Sequence, residues 1–194
     1  MNTLIFKNIS AENIALNPNE TALRLKTDRG YTNKQIETCL ETLKKNINCK
    51  YISTRVEIKQ KGCVFDLGFG EFESKSLEQN LKGCKEAFVF LTTLGFECDR
   101  LLNRLSLTSP AEHFICDALA SSMAEAVCDM AENEIKGNIL CNVRFSPGYG
   151  DLPLEIQPKL LDMLNAQKLA GITISKAYLM SPVKTITCIM GIVK

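Results

Sequence analysis

The sequence has one histidine, His113, in 194 residues. A serine–histidine–carboxylate triad or an imidazole-based metal centre needs histidine where the chemistry is, and one residue leaves little room for either. There is no C-x-x-C pair among the nine cysteines, at positions 39, 49, 63, 84, 98, 116, 128, 141 and 188. An odd, scattered set argues against both a disulfide framework and a zinc site. Cys116, Cys128 and Cys188 stand in apolar surroundings, where reduced cysteine packs as a small hydrophobe. Neither sign of charge is in excess, with 23 Lys and Arg against 22 Asp and Glu. That provides no field to hold a nucleic-acid backbone and no charged binding tail. The opening MNTLIFKNIS lacks the basic start and apolar core of a signal peptide. No apolar run reaches the ~20 residues that cross a bilayer. The expectation is a cytoplasmic protein that engages neither nucleic acid nor membrane.

What is present suits one well-buried core: 45% of residues are hydrophobic, and single domains commonly run to about 100–200 residues. Residues 1–48 are either part of that domain or a small helical lobe on it. Asn17-Pro18-Asn19-Glu20 predicts the start of a short helix, with Asn as cap and Pro in the first turn. Thr32 or Asn33 precedes a second helix over 34–46, with Ile36, Leu40 and Leu43 on one face. Ile52, Thr54, Val56 and Ile58 alternate with polar residues, which predicts a half-buried strand. Gln60-Lys61-Gly62 reads as the turn and Val64–Leu67 as the returning strand. Residues 86–92 read as a buried strand and 96–105 as a helix. The clearest helix is 109–135, with Ser109 and Glu112 at capping-box spacing around Pro110 and an apolar face at 115, 119, 123, 126, 127 and 130. Strands at 139–145, 172–180 and 184–193 and a helix at 155–166 complete the pattern. Antiparallel hairpins mixed with helices predict an α+β fold, a twisted antiparallel or mixed sheet with packed helices.

Three segments carry candidate chemistry. Val64-Phe65-Asp66-Leu67-Gly68-Phe69-Gly70 has the look of a glycine loop that holds S-adenosylmethionine in doubly wound methyltransferases. Such a loop needs a strand-to-helix turn; here the preceding pattern is a hairpin and no third glycine follows, so a plain glycine turn is the reading. Arg144-Phe145-Ser146-Pro147-Gly148-Tyr149-Gly150 predicts a type II turn with Gly148 at positive φ. Arg144 is then either a surface charge or a forked partner for a carboxylate, with exposed backbone N–H groups nearby and Tyr149 offering an aromatic face to a sulfonium. On the long helix, Ser121, Glu125 and Asp129 recur every four residues beside the small residues Ala118 and Ser122. They either face solvent or pair with a ligand ammonium.

Together these residues resemble the activation domain of cobalamin-dependent methionine synthase, in a stand-alone, single-domain form. Arg-x-x-x-Gly-Tyr, here Arg144 to Tyr149, is similar to that family's S-adenosylmethionine signature. Leu91-Thr92-Thr93-Leu94-Gly95, the Asp117–Ala126 run with its Ala-Glu-Ala step, and Tyr178–Thr185 resemble three further family segments in the same order, over residues 85–194. The resemblance implies that Arg144 binds the S-adenosylmethionine carboxylate, that Ser146, Pro147, Gly148 and Tyr149 line the ligand, and that Glu125 meets its amino or sulfonium side. Lys184 either steadies the Pro182 turn or touches ligand or corrinoid phosphate. Met190 stands where longer members place a second tyrosine, and no residue here matches their ligand-binding N-terminal aspartate. Those departures imply weak affinity in isolation or a pocket that a partner completes.

By the same resemblance, the cofactors are S-adenosylmethionine and a cobalamin carried by the partner, a separate methionine synthase. A flavodoxin-like donor reduces the oxidised cobalt, and S-adenosylmethionine then remethylates it; no turnover is expected from this chain alone. The alternative is a docking or reactivation protein for another corrinoid methyltransferase that does not itself present S-adenosylmethionine.

Overall fold

In the computed structural model, which describes residues 3–25 and 34–193, the chain enters as strand β1 (Ile5–Ile9). Asn17 then starts helix α1 (Pro18–Leu25). Its Oδ1 accepts the N–H groups of Asn19 and Glu20 at 3.1 and 3.4 Å, donors that no helix turn precedes. The cap expected at Thr32 or Asn33 lies outside the described residues. Its helix, α2 (Lys34–Asn46), buries Ile36, Cys39 and Leu43. There follow β2 (Cys49–Glu57), β3 (Lys59–Lys61), β4 (Val64–Asp66), β5 (Glu71–Glu73), α3 (Lys75–Asn80), β6 (Glu86–Thr93), α4 (Phe96–Thr108), α5 (Pro110–Lys136), α6 (Gln157–Met163), α7 (Ala166–Ala170), β7 (Thr173–Ile174), β8 (Met180–Ser181) and β9 (Thr185–Gly191).

The main sheet has the order β1-β2-β6-β9, and each neighbouring pair is antiparallel. The expected α+β class is the one observed. Alternation along β6 divides the core: Ala87, Val89 and Leu91 face a cluster with Leu152, Ile156, Leu160 and Ile189. Phe88 and Phe90 face Cys128, Cys188 and Met190 on the other side. The helical side is completed by α1, α2 and α4 against α5, through Leu25, Leu43, Leu101, Leu119, Met123 and Val127. Each such fully buried aliphatic contributes about 1.5–3 kcal/mol through the apolar surface it hides.

The structure corrects several strand and helix assignments. β2 is half-buried toward its end, where Arg55 and Glu57 are exposed between buried neighbours, but at its start Tyr51 and Ser53 are buried as well as Ile52, Thr54 and Val56, because packed layers cover both faces there. Val64–Asp66 returns along β3, not along β2; β2 instead pairs with β1 and β6. Ser109 makes no side-chain cap on α5, so the Ser109–Glu112 capping box does not form. Burial on α5 is wider than one stripe and includes Cys116, Ala118, Ala120, Ser122, Ala124, Cys128 and Ala131, small side chains that let neighbours close in. Residues 155–166 are broken by Asn165 at φ 49°, which separates α6 from α7. The expected 172–180 strand is instead a small hairpin, in which Thr173–Ile174 pairs antiparallel with Met180–Ser181. Among the described residues, no helix is long and apolar enough to cross a membrane.

The expected strand 139–145 is an irregular segment held on β9 at two points, Cys141 opposite Ile192 and Phe145 opposite Ile189. Four steps on one side face three on the other, so one residue bulges. Phe145 and Ile189 exchange both backbone hydrogen bonds at 2.8 Å, and Phe145 packs against the cluster that contains Ile189. Alternation then turns the flanking Arg144 and Ser146 to the opposite face, toward α5.

Candidate functional site

Helix α5 presents Asp117, Ser121, Glu125, Asp129 and Glu132 at spacings of four, four, four and three, which lie along one face. Two cations reach this line from other parts of the chain. Near its start, Lys184 Nζ lies 2.8 Å from both Asp117 Oδ1 and Ser121 Oγ. Further along, Arg144 donates from Nη2 to Glu125 at 3.0 Å and from Nη1 to Glu132 at 2.9 Å and Asp129 at 2.5 Å. One guanidinium facing three carboxylates, with Lys136 paired to Glu132 at 3.2 Å, leaves this cluster with a net charge of −1.

Half-burial opposes the charge on Arg144, but the Cys128 sulfur, Glu132 and Asp129 outweigh it and raise its pKa further; the side chain is a fixed cation. Burial likewise works to raise the pKa of Glu132, and hydrogen bonds from Arg144 and Lys136 overcome it and hold the carboxyl below its usual value. Glu132 is the member of this cluster that sequence reading missed. The signal was available: it continues the Glu125–Asp129 line one turn on, where the sequence reading stopped at Asp129.

The Ser146–Tyr149 turn forms as expected, with the Tyr149 N–H donating to the Ser146 carbonyl at 3.0 Å and Gly148 at φ 91°. Its backbone donors are not free for a ligand: the Gly148 N–H is taken by the Leu152 carbonyl at 2.8 Å. Tyr149 is exposed and stands edge-on to Phe145, with ring centroids 6.0 Å apart, so a face of its ring is available. Pro147 is buried and Ser146 half-buried, with Ser146 Oγ 3.8 Å from Cys188 Sγ.

The loop beyond the turn is tied down by residues the sequence did not single out. Asp151 accepts hydrogen bonds from Ser74 Oγ at 2.6 Å and from the Lys75 and Ser76 N–H groups at 2.9 Å. It thereby fixes the loop to the start of α3. The Ser74 hydroxyl, with the Ser76 and Lys75 N–H groups, holds the Asp151 carboxyl well below the usual range. A lowered folded-state pKa means stability that is present above the unfolded value, about 3.9, and lost as pH falls through the folded one. Asp151→Ala is therefore expected to lower the melting temperature at pH 7, and the gap from wild type should narrow below about pH 4. Thermal scans across pH 2.5–7 check this; a gap that does not change with pH would mean the carboxylate charge is irrelevant.

Met190 was expected near the ligand, but the structure buries it completely, packed with Phe88, Phe90 and Cys128. It directly opposes Phe88 in the sheet and points beneath α5, so it is removed from the ligand-facing set. Lys184 is bound to α5, and its backbone carbonyl accepts from the Leu94 N–H at 3.0 Å. Beside it is a cleft of about 170 Å³ lined in part by Asp99, His113, Asp117 and Val183. Gly95, in the Thr92-Thr93-Leu94-Gly95 segment, has φ 85°, and a Cβ there would lie 2.8 Å from the Asn48 carbonyl oxygen.

The glycine run at 66–70 joins β4 to β5, two antiparallel strands, and Asp66 Oδ1 caps the turn by accepting from Gly68 N–H at 2.8 Å. It is not a strand-to-helix loop. All nine cysteines are free. Burial pushes Cys49, Cys98 and Cys116 up to about 12, which suits packed thiols. Cys128 and Cys188 sit Sγ to Sγ at 3.7 Å, buried under the Arg144 cluster.

No family model matches the sequence, and a search of curated proteins finds no match either. Among solved structures, the chain superposes on the crystal structure of the MetH reactivation domain bound to AdoHcy with a TM-score of 0.75. The match covers 97% of this chain and 78% of that one at 14% sequence identity. The chain thus has the fold of a methionine synthase reactivation domain.

Proposed function

We propose that the chain binds S-adenosylmethionine between α5 and the Arg144–Tyr149 segment and supports the reductive remethylation of a cobalamin carried by a separate methionine synthase. The observation that carries this reading is the Arg144–Glu125 pair at 3.0 Å, in a fold shared with a domain that binds AdoHcy. The donor set fits the ligand's chemistry. A guanidinium matches an α-carboxylate in forked geometry, acidic side chains match an ammonium, and an aromatic face matches a sulfonium. The surplus of negative charge in the cluster favours a ligand that is cationic overall.

S-adenosylmethionine, when bound, supplies an electrophilic methyl group. The chain's own residues hold and orient it: Arg144 fixes the carboxylate end, Glu125 the amino or sulfonium side, and Tyr149 the open side of the site. Restricting the ligand in this way is what turns an encounter with the corrinoid partner into an oriented one. The corrinoid and the electron, from a flavodoxin-like donor, come from other proteins. Calorimetric titration of the purified chain with S-adenosylmethionine tests the first half of the proposal. Reductive reactivation of a cobalamin-dependent methionine synthase, with and without the chain, tests the second.

One observation favours a second reading. Arg144 is already surrounded by carboxylates, as in a docking protein that serves a corrinoid methyltransferase without presenting S-adenosylmethionine. Support of reactivation by a folded chain that does not bind S-adenosylmethionine, alone or with its partner, would select it.

A further inference from the structure

We propose that Asp129 is an internal ligand of Arg144 which the carboxylate of the bound molecule displaces; this rests on the S-adenosylmethionine reading above. A ligand carboxylate brought to Arg144 in its present state would be a fourth anion around one cation, and like charges at such distances repel. One of the three resident carboxylates has to yield, and they are not equivalent. Glu132 is only 18% exposed and also takes a hydrogen bond from Lys136 at 3.2 Å. Glu125 is 33% exposed and has Nη2 to itself. Asp129 is 61% exposed, shares Nη1 with Glu132, and has no other hydrogen-bond or ion-pair partner among the described residues. Its short side chain can swing into water at little cost, since exposed ion pairs contribute only about 0.2–1 kcal/mol. Leaving, it frees an Nη1–H; Arg144 Nε makes no hydrogen bond among the described residues, so the guanidinium has donors to offer once that anion is gone.

The sign of one substitution separates displacement from a plain field effect. S-adenosylmethionine is cationic overall, so removing a negative charge from its site would, through the field alone, weaken binding. If Asp129 competes for Arg144, removing it tightens binding, by about two- to fivefold on the scale of an exposed ion pair. The test is calorimetric titration of S-adenosylmethionine into wild type, Asp129→Asn, Asp129→Ala and Glu125→Gln. Asp129→Ala is included because asparagine can still accept a hydrogen bond from the guanidinium. The expected result is tighter binding in both Asp129 variants and weaker binding in Glu125→Gln. Binding that is unchanged or weaker in both Asp129 variants overturns the displacement while leaving the S-adenosylmethionine reading in place. Absence of binding in wild type and in all variants, each shown to be folded by circular dichroism and titrated both alone and with the cobalamin protein, overturns the reading itself and the displacement with it.

Discussion

Arg144→Ala is expected to weaken S-adenosylmethionine binding by about 10²-fold or more, the scale for removing one member of a partly buried, hydrogen-bonded charge pair. The ligand carboxylate loses its cation, and that loss outweighs the added pull on a cationic ligand from Glu125, Asp129 and Glu132, which share that cation now and would be left facing one another along α5. The same change should lower stability by about 1–3 kcal/mol, because hydrogen bonds to charged groups are lost and nothing replaces them. That stability effect has a pH signature. Glu132 is held below its usual pKa with the help of Arg144. Its contribution is therefore complete above the unfolded value, about 4.3, and disappears as pH falls through the folded value. The melting-temperature gap between wild type and variant should be full above about pH 5 and close toward acid. Arg144→Lys keeps a charge but not the fork, so it should fall between the two. Unaltered binding in a folded Arg144→Ala protein would place the ligand elsewhere.

How far the sequence led depended on whether a feature was local. The α1 cap follows from local capping chemistry and helices α2, α4 and α5 from the spacing of their apolar residues, and all are legible, although the Ser109–Glu112 box is not formed. So was the turn at Pro147-Gly148, because Gly148 at positive φ is a property of four residues. Pairing is not local, and there the reading failed. Ile52–Ile58 alternates as though one face met water, and Arg55 and Glu57 do meet it, but Ser53 on the same face is buried, and nothing within β2 announces that cover. Likewise 139–145 has strand composition, while its bulge exists only because Cys141 and Phe145 must both meet β9. Arg144 is a candidate from one segment, and Glu125 and Asp129 are candidates from another. That they form one cluster, with Glu132 as its most protected acid, depends on the bulge that turns Arg144 toward α5. The fold places one site residue, Met190, wholly inside the protein, since strand register and not residue type decides which face it takes.

A large loss of stability outside the ion cluster is expected from Gly150→Ala. Gly150 sits at φ 54°, a conformation that costs an L-residue about 1–2 kcal/mol. A Cβ there would lie 2.4 Å from Ser76 Oγ and 2.8 Å from Ser76 Cβ. The hydroxyl can rotate away, but the Ser76 Cβ is fixed by its backbone, whose N–H donates to Asp151 at 2.9 Å. Relief therefore requires the 146–151 loop to lift off the start of α3, against the three Asp151 hydrogen bonds. Overpacking of this kind costs about 1–3 kcal/mol, so the total is about 2–5 kcal/mol, or a melting-temperature loss of about 4–20 °C for a chain of this length. Because the same loop carries Tyr149, S-adenosylmethionine affinity should fall together with stability. Adding Ser76→Gly removes the clashing atoms but not the backbone strain, and should restore about half of the loss. Thermal denaturation of the single and double variants decides the matter. A Gly150→Ala protein melting with wild type would mean that the loop is not held against α3, and that Tyr149 is positioned by the ligand and not by the fold.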